Sequence, residues 1–516
     1  MNIRSYLSAT ALLLTYSASV FAQDETDALR FSYLQPQATA RSMGIGGALG
    51  ALGGDFASLS INPAGIGVYR RSELTFTPSL KMNNTQGTYL SKQMDDNSTR
   101  FNINNLGIVA TSAQRGQRYE RSKWKSTSFG FGINRLADFS HNYTYGGYMA
   151  INPLDNSSSS GAEVFSIDAN KYPADVNNSS ASGTPAYMGY QSYLLDTTTG
   201  GRYIPVTFNT SGVNQLRSVT QKGGISELAI SLGGNYEEKL MLGATLGIPV
   251  VRFKREIVYS EKDASGNTNN DFESFEYRET LTTRGSGVNL KLGFIYKPVD
   301  AFRIGAAIHT PTLMTLKDEF NKSLTASTEN FKNSLGVGGS PTTRIDAPTN
   351  TYQYSLVTPW RGVISAAGVL GKYGFISVDY EYVNYSSARF YFDDADRTWQ
   401  NDVNSAIKSS YKGASNLRAG LEGRLDKISL RVGFGYYGSP YKNATVNGDR
   451  IELSAGIGFR TDSWFIDLGF VNSQSKMQEK PYTLDPTVPA YASVMVPTAT
   501  LKNNFNNAAL TFGVKF

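Results

Sequence analysis

The sequence predicts an all-β protein, a transmembrane antiparallel β-barrel of about fourteen strands with an N-terminal hatch inside its lumen. Three observations carry the barrel. The first is period-two alternation, segment after segment. In 427–438, Ile428, Leu430, Val432, Phe434 and Tyr436 share one face while Ser429, Arg431, Gly433 and Gly435 share the other. The second is length: many segments run a dozen residues or more, where soluble strands run about 5–6. The third is the spacing of connections. Short turns fall near Glu237-Glu238, 297–301, Gly371-Lys372, 425–427 and 461–463, and longer polar stretches near 261–271, 319–349, 393–411, 441–448 and 478–501. Short on one side and long on the other is the layout of outer-membrane barrels, with periplasmic turns and extracellular loops.

Composition agrees and excludes other classes. The 516 residues carry 49 Lys+Arg against 43 Asp+Glu, a net charge of +6. There is no cysteine, which removes disulfide scaffolds, zinc–cysteine sites and thiol catalysis. Two histidines, His141 and His309, leave no basis for a multi-histidine metal site, and no metal or other cofactor is expected. Charged residues are 18% of the chain, below the roughly 25% of soluble domains. Tyr, Phe and Trp make up 12%, and a mean hydropathy of −0.30 is too polar for a helical membrane bundle. The basic residues are scattered among acids, so the footprint of a nucleic-acid binder is missing. No stretch reaches the 18 or so apolar residues of a spanning helix. A spanning architecture must therefore be a closed barrel.

In chain order, residues 1–22 read as a signal peptide. Arg4 supplies the positive start, Leu7 to Val20 the apolar centre, and Val20-Phe21-Ala22 the peptidase site, with cleavage after Ala22. No cysteine follows, so the exported chain is not a lipoprotein. Residues 23–71 are too long and polar for a strand. Gly44, Gly46, Gly47, Gly50, Gly53 and Gly54 suggest a phosphate loop at first sight. Their spacing is not the dinucleotide fingerprint, and no Gly-Lys-Ser/Thr follows. Close packing in a crowded lumen, with turns at positive φ, accounts for them better. Asn62-Pro63 reads as a tight turn eased by Gly65 and Gly67.

The barrel proper is expected over 72–516. Its strands read at 72–88, 99–112, 124–148, 223–237, 239–260, 272–297, 301–318, 350–371, 373–392, 412–426, 427–440, 449–461, 463–477 and 502–516. Fourteen is even, so the region before Ser72 and the carboxyl terminus share the periplasmic side. Residues 154–222 form one long extracellular loop whose apolar content (Phe165, Met188, Leu194, Leu195) suggests a partly folded cap. Residues 396–411 suit a short helix in another outer loop. The last strand ends Leu510, Phe512, Val514, Phe516 on one face. A terminal aromatic on an amphipathic last strand resembles the signal read by the bacterial barrel-assembly machinery, with Phe512, Val514 and Phe516 carrying it.

The run SLSINPAGIG, after a Gly/Ala-rich stretch and before the first strand, resembles the Asn-Pro-Ala hatch motif of the FadL/TodX family of outer-membrane transporters of long-chain fatty acids and other hydrophobic compounds. A second similar stretch is 287–313. The resemblance implies that Asn62, Pro63, Ala64 and Gly65, with the glycines Gly44, Gly46, Gly47, Gly53 and Gly54, belong to a plug filling the barrel. It also implies a kinked third strand that opens a side hole into the membrane. Gly130, Gly132, Gly146 and Gly147 are candidate weak points in that strand, because strand glycines permit bends. The alternative is that they are ordinary lumen-facing glycines.

The functional expectation is passive transport of a hydrophobic small molecule such as a fatty acid, through an apolar site, hatch movement and lateral exit, by a monomer in outer-membrane lipid. Each buried CH₂ contributes about 0.8 kcal/mol, and one cation near the site orients a carboxylate. Lumen-side candidates by alternation are Lys291, Arg303, Arg361, Arg418 and Arg431. Against each stands pairing with Glu227, Asp379, Glu381, Glu422 or Asp467. The alternatives are a general porin or structural barrel, and a haem-binding receptor. An enzyme is not expected, since neither histidine sits in a recognisable Ser-His-acid context.

Overall fold

The computed structural model describes residues 24–152, 159–329, 342–443, 446, 448–488, 491 and 494–516. The signal segment and its Ala22 junction lie outside the described residues. So do parts of the loops expected at 154–222, 319–349, 441–448 and 478–501.

One antiparallel sheet curls until its edges meet. The staves are, in order, Glu73–Tyr89, Lys92–Ala113, Trp124–Asp138 continued by His141–Ala150, Gly212–Tyr236, Leu240–Asp263 and Ser274–Val299. Then come Phe302–His309 continued by Leu313–Ser327, Asn350–Val357 continued by Arg361–Val369, Gly374–Asn384 and Gly413–Leu425. Ile428–Tyr437, Arg450–Arg460, Trp464–Glu479 and Ala499–Lys515 complete fourteen. The last pairs with the first, Glu73 opposite Lys515 and Thr88 opposite Thr500, so the sheet closes on itself.

Alternation decides which side each residue faces, and the sense is that of a membrane barrel. In the eleventh strand Ile428, Leu430, Val432 and Phe434 are exposed, whereas Ser429 and Arg431 are buried. A soluble sandwich would bury the apolar row instead. The same outward row recurs in the twelfth strand (Ile451, Leu453, Ile457, Phe459) and in the thirteenth (Trp464, Leu468, Phe470). No helix among the described residues is long and apolar enough to cross a membrane.

Several strands outrun the expected boundaries. The second begins at Lys92 rather than 99, the fourth at Gly212 rather than 223, and the seventh runs on to Ser327 rather than 318. The extension of the second strand is almost wholly polar, and those of the fourth and seventh turn apolar residues inward, with Val213, Val219, Phe320 and Leu324 buried, so the lipid-facing period does not mark them. The second strand's extension is held by backbone pairing with the first, Lys92 facing Tyr89 across a two-residue turn at Leu90 (φ 46°) and Ser91 (φ 63°). That turn replaces the loop expected before residue 99. At the long-loop end, Ala162–Lys171 and Pro185–Gln191 are helices packed on Phe165, Met188, Leu194 and Leu195 as a small apolar core. Arg397–Ser410 is a helix in another outer loop, matching 396–411.

Residues 24–71 thread the lumen. They carry helices Glu25–Ser32, Ala40–Gly44 and Ser58–Ile61, and a 3-10 turn Pro63–Val68. Asp24 caps the first helix by accepting from the Thr26 and Asp27 amides, and Thr39 caps the second through Ser42 N.

Candidate functional site

The hatch is seated by glycines of the wall. Going round the barrel, Phe56 lies against Gly107 and Gly132, Leu59 against Gly130, Ile66 against Gly233, and Pro63 against Gly243. Asn62 meets Gly293, Gly50 meets Gly305, Ile45 meets Gly420 and Gly433, Gly44 meets Gly456, and Ala40 meets Gly469. At each place a Cβ on the wall would crowd or overlap a hatch atom. Many of these glycines are also cross-strand partners: Gly107 with Gly132, Gly233 with Gly243, Gly243 with Gly293, Gly420 with Gly433, Gly456 with Gly469. The result is a girdle without side chains at one level of the lumen, cut to the hatch. The hatch glycines answer in kind. Gly46 and Gly47 (φ 65° and 76°) turn the chain against Phe434 and Arg418, and Gly53 and Gly54 (φ 64° and 63°) turn it against Gly65 and Val68.

Asn62 is the centre of this seat. Its Nδ2 donates to Gly50 O (2.6 Å) and to Phe294 O of the wall (3.1 Å), and its Oδ1 accepts from Ala64 N (3.1 Å). Pro63 starts the 3-10 turn, where its missing N–H costs nothing. Ala64 packs on Met241 and Ile295, and Gly65 closes on Gly53 and Ser58. Other polar ties are Gly50 N to Asp379, Ser60 Oγ to Glu227 (2.8 Å), Ala40 N to Thr511 Oγ1 (2.7 Å) and His309 Nε2 with Ile61 O (2.9 Å).

Around the hatch the wall carries paired charges. Lys291 bonds Glu227. Arg361 bonds Glu381 (2.6 Å) and also donates to Ser32 O (3.3 Å) of the hatch. Arg418 lies between Asp379 (3.7 Å) and Glu381 (3.6 Å). Arg431 is fully buried between Glu422 (2.6 Å) and Asp467 (2.7 Å). Arg303 donates to Leu52 O (2.9 Å) beneath the hatch. Of the five cations singled out from sequence, only Arg418 reaches the central cavity described below. The other four hold the hatch or balance carboxylates.

The third strand breaks at Phe139 and Ser140, not at Gly130, Gly132, Gly146 or Gly147. Gly130 and Gly132 sit inside its lower half and receive the hatch, and Gly146 and Gly147 lie within its upper half. The bend is made by other residues. Leu136 bulges out of register with the fourth strand, and Gly223 (φ 113°) with Gly224 lies opposite the break, where no side chain would fit. Pairing between the second and third strands ends at Asn105 opposite Asn134. Above that point the two strands no longer form a ladder, and the link between them there is by side chains, as where Thr144 Oγ1 donates to Asp96 (3.0 Å). The upper third strand also packs close to the first, so that a Cβ at Gly87 would crowd Thr144 O.

Two groups fill the parting. Asp138 accepts from Lys81 Nζ of the first strand (2.9 Å), Arg135 Nη2 (2.7 Å) and Asn102 Nδ2 of the second (3.0 Å). The hatch supplies backbone, with Gln35 N donating to Leu136 O (2.7 Å) and Gln37 N to Arg135 O (2.9 Å). A strap of hatch thus donates hydrogen bonds to carbonyls of the third strand that the second strand no longer pairs.

A cavity of about 290 Å³ opens beside this strap. Tyr33, Met43 and Ile61 of the hatch, Phe139 and His141 of the break, and Val471 and Phe505 of the wall give it apolar and aromatic surface. Lys81, Arg418 and Arg450 give it charge, with Asp138 and Glu452 opposed. Arg450 is held between the rings of Tyr33 (5.5 Å) and Tyr437 (4.9 Å), and its Nε has no hydrogen-bond partner. Above lies an aromatic column, with Phe31, Phe139 and Phe253 edge to face at 5.5–6.3 Å. Tyr354 and Phe390 continue it, and Phe392 stacks on Trp399 (4.0 Å) near the mouth. Sequence reasoning missed Lys81 and Arg450. Their signal was parity: Ser79, Lys81 and Asn83 share the buried face of the first strand, and Glu452 is on the lumen face of the twelfth.

No protein-family model and no curated protein matches the sequence. Solved structures do match. A FadL homologue from Pseudomonas aeruginosa superposes with a TM-score of 0.53 at 12% identity, over 94% of this chain and 100% of that one. The toluene transporter TodX of P. putida superposes with a TM-score of 0.51 at 12% identity, over 93% of this chain and 98% of that one. At that identity the likeness is one of fold: over 93–94% of its length this chain has the FadL/TodX architecture.

Proposed function

We propose that this protein is an outer-membrane channel that admits hydrophobic compounds. Solute enters past the aromatic column at the long-loop mouth, rests in the cavity beside Tyr33 and Phe139, and leaves sideways where the second and third strands part. The observation that carries this reading is the coincidence of three features in one place: a lumen stopped by the hatch, a cavity directly above the stop, and a break in the wall bordering that cavity. The toluene transport named for TodX and the FadL fold support the substrate class. A cavity of about 290 Å³ is at the low end of the roughly 300–1,000 Å³ typical of ligand sites, so small solutes are favoured over long chains.

Under this reading the long-loop end faces outside and the short-turn end faces the periplasm. Gln35 and Gln37 make the hatch part of the gate, since moving the strap uncovers the edge of the third strand. An open general porin fits less well, because Asn62, Ser60 and Gly50 tie the hatch across the lumen. The haem alternative draws no support from the histidines, both of which are engaged: His309 with Ile61 O and His141 with Thr85 and Asn503.

The test is uptake. A strain lacking the protein should take up a labelled monoaromatic or short-chain amphiphile more slowly, with recovery on re-expression. Planar bilayers holding the purified protein should show no steady large conductance. Normal uptake in the deletion strain, or a permanently open pore, would overturn the proposal.

A further inference from the structure

The short-turn end is strongly basic. Its turns and adjoining strand ends, residues 70–72, 114–125, 236–240, 297–303, 370–374, 424–428, 460–464 and 515, carry fifteen basic side chains against six acidic ones. The whole chain has a net charge of only +6, so this one face holds more than all of it.

At its centre, beneath the hatch, is a second cavity of about 460 Å³. Arg41 of the hatch, Arg303, Arg424, Lys427, Arg460 and Lys515 line it, with Asp426 as acidic wall residue. The carboxylates behind this wall are already shared. Glu422 serves Arg41 (3.3 Å), Arg424 (2.7 Å) and Arg431 (2.6 Å). Asp467 serves Arg431 (2.7 Å) and Arg460 (2.8 Å). Lys515 is 4.0 Å from Glu73. Donors are left over: the Nε atoms of both Arg303 and Arg460 are buried without a hydrogen-bond partner. Buried donors are normally satisfied, and an unmet one points to a missing acceptor. Guanidinium groups converging on a space with surplus positive charge suit a compact oxyanion with several acceptor oxygens.

We propose that this periplasmic cavity is a binding site for a phosphate group, carried either by an anionic phospholipid of the inner leaflet or by a free phosphate compound. Its lining joins hatch (Arg41) to wall (Arg303, Arg460, Lys515) and turn (Lys427), so an occupant braces the hatch from below. This goes beyond the transport reading and does not depend on which solute the channel carries.

Inorganic phosphate is titrated into the full chain in neutral detergent at constant ionic strength, with chloride as the reference salt, and thermal unfolding is followed. Phosphate should raise the midpoint saturably, and Lys427→Gln or Arg303→Gln should weaken the apparent affinity about tenfold, as expected for loss of one charge-assisted contact. Lys427 lies in an exposed turn, so its replacement tests the site without threatening the fold. Nanodiscs separate the sources. A phosphate response present in phosphatidylcholine but suppressed in phosphatidylglycerol assigns the site to lipid headgroups, and an equal response in both assigns it to free phosphate. A phosphate effect no larger than that of chloride, or one unchanged in both variants, overturns the proposal.

Discussion

Replacing Asn62 with Ala should unseat the hatch while leaving the barrel standing. The buried side chain makes three hydrogen bonds, donating to Gly50 O and Phe294 O and accepting from Ala64 N. Each contributes about 1 kcal/mol net, and a buried group left unmet adds its own desolvation cost. The hatch seat should therefore weaken by about 3–5 kcal/mol. That corresponds to roughly two to three and a half powers of ten in the equilibrium for local opening. Amide hydrogen exchange reads this directly at Gly54 and Gly65, whose N–H groups donate to Gly65 O and Asn62 O (both 2.9 Å). Their protection should collapse in Asn62→Ala, and transient current steps should appear in bilayers. Gly293→Ala attacks the same contact from the wall, because its new Cβ would fall on Asn62 Oδ1. Both variants should share one phenotype. If exchange at Gly54 and Gly65 stayed slow while the wall strands lost protection, the hatch would not be an independently held unit and the reasoning would fail.

Three further outcomes follow from the same geometry. Asp138→Asn removes the carboxylate shared by Lys81, Arg135 and Asn102. Leaving Lys81 and Arg135 without their anion costs about 3–5 kcal/mol, so an engineered thiol pair spanning the second and third strands should cross-link more slowly than in wild type. Gly107→Ala drives a methyl into the ring of Phe56. Thermal stability should fall by about 1–3 kcal/mol, as for other overpacked cores, and Phe56→Ala in the same chain should recover part of the loss. In the outer cap, burial pushes the Glu163 carboxyl up to about 7, with Glu261 raising it further and the Ser160 N–H opposing. The folded cap thus prefers the protonated acid. Its contribution is fully present below about pH 4.5 and is lost as pH rises through 7. Exchange in 159–211, corrected for intrinsic rates, should speed up between pH 5 and 8, and Glu163→Gln should flatten that dependence.

The wall was legible in the chain because its rule is local. A strand points successive side chains to opposite faces, so Ile428 to Tyr436 declare the lipid side and Arg431 the lumen side without reference to any neighbour. An even strand count then placed Ser72 and Lys515 at the same end, and Asn62-Pro63-Ala64 marked the segment inside. What the chain could not declare are relations between distant residues. Gly107, Gly243 and Gly469 look like ordinary strand glycines until closure of the sheet brings them to one level, opposite Phe56, Pro63 and Ala40. The third strand bends because Gly223 and Gly224 of the next strand lie opposite Phe139 and Asp138, a fact of register rather than of composition. Arg450 becomes a cavity residue only when Tyr33 and Tyr437 close on it from the hatch and a neighbouring strand. Period and parity belong to the backbone and survive in one dimension. Register, packing against the hatch and the convergence of charge belong to the closed barrel, and only the tertiary structure decides them.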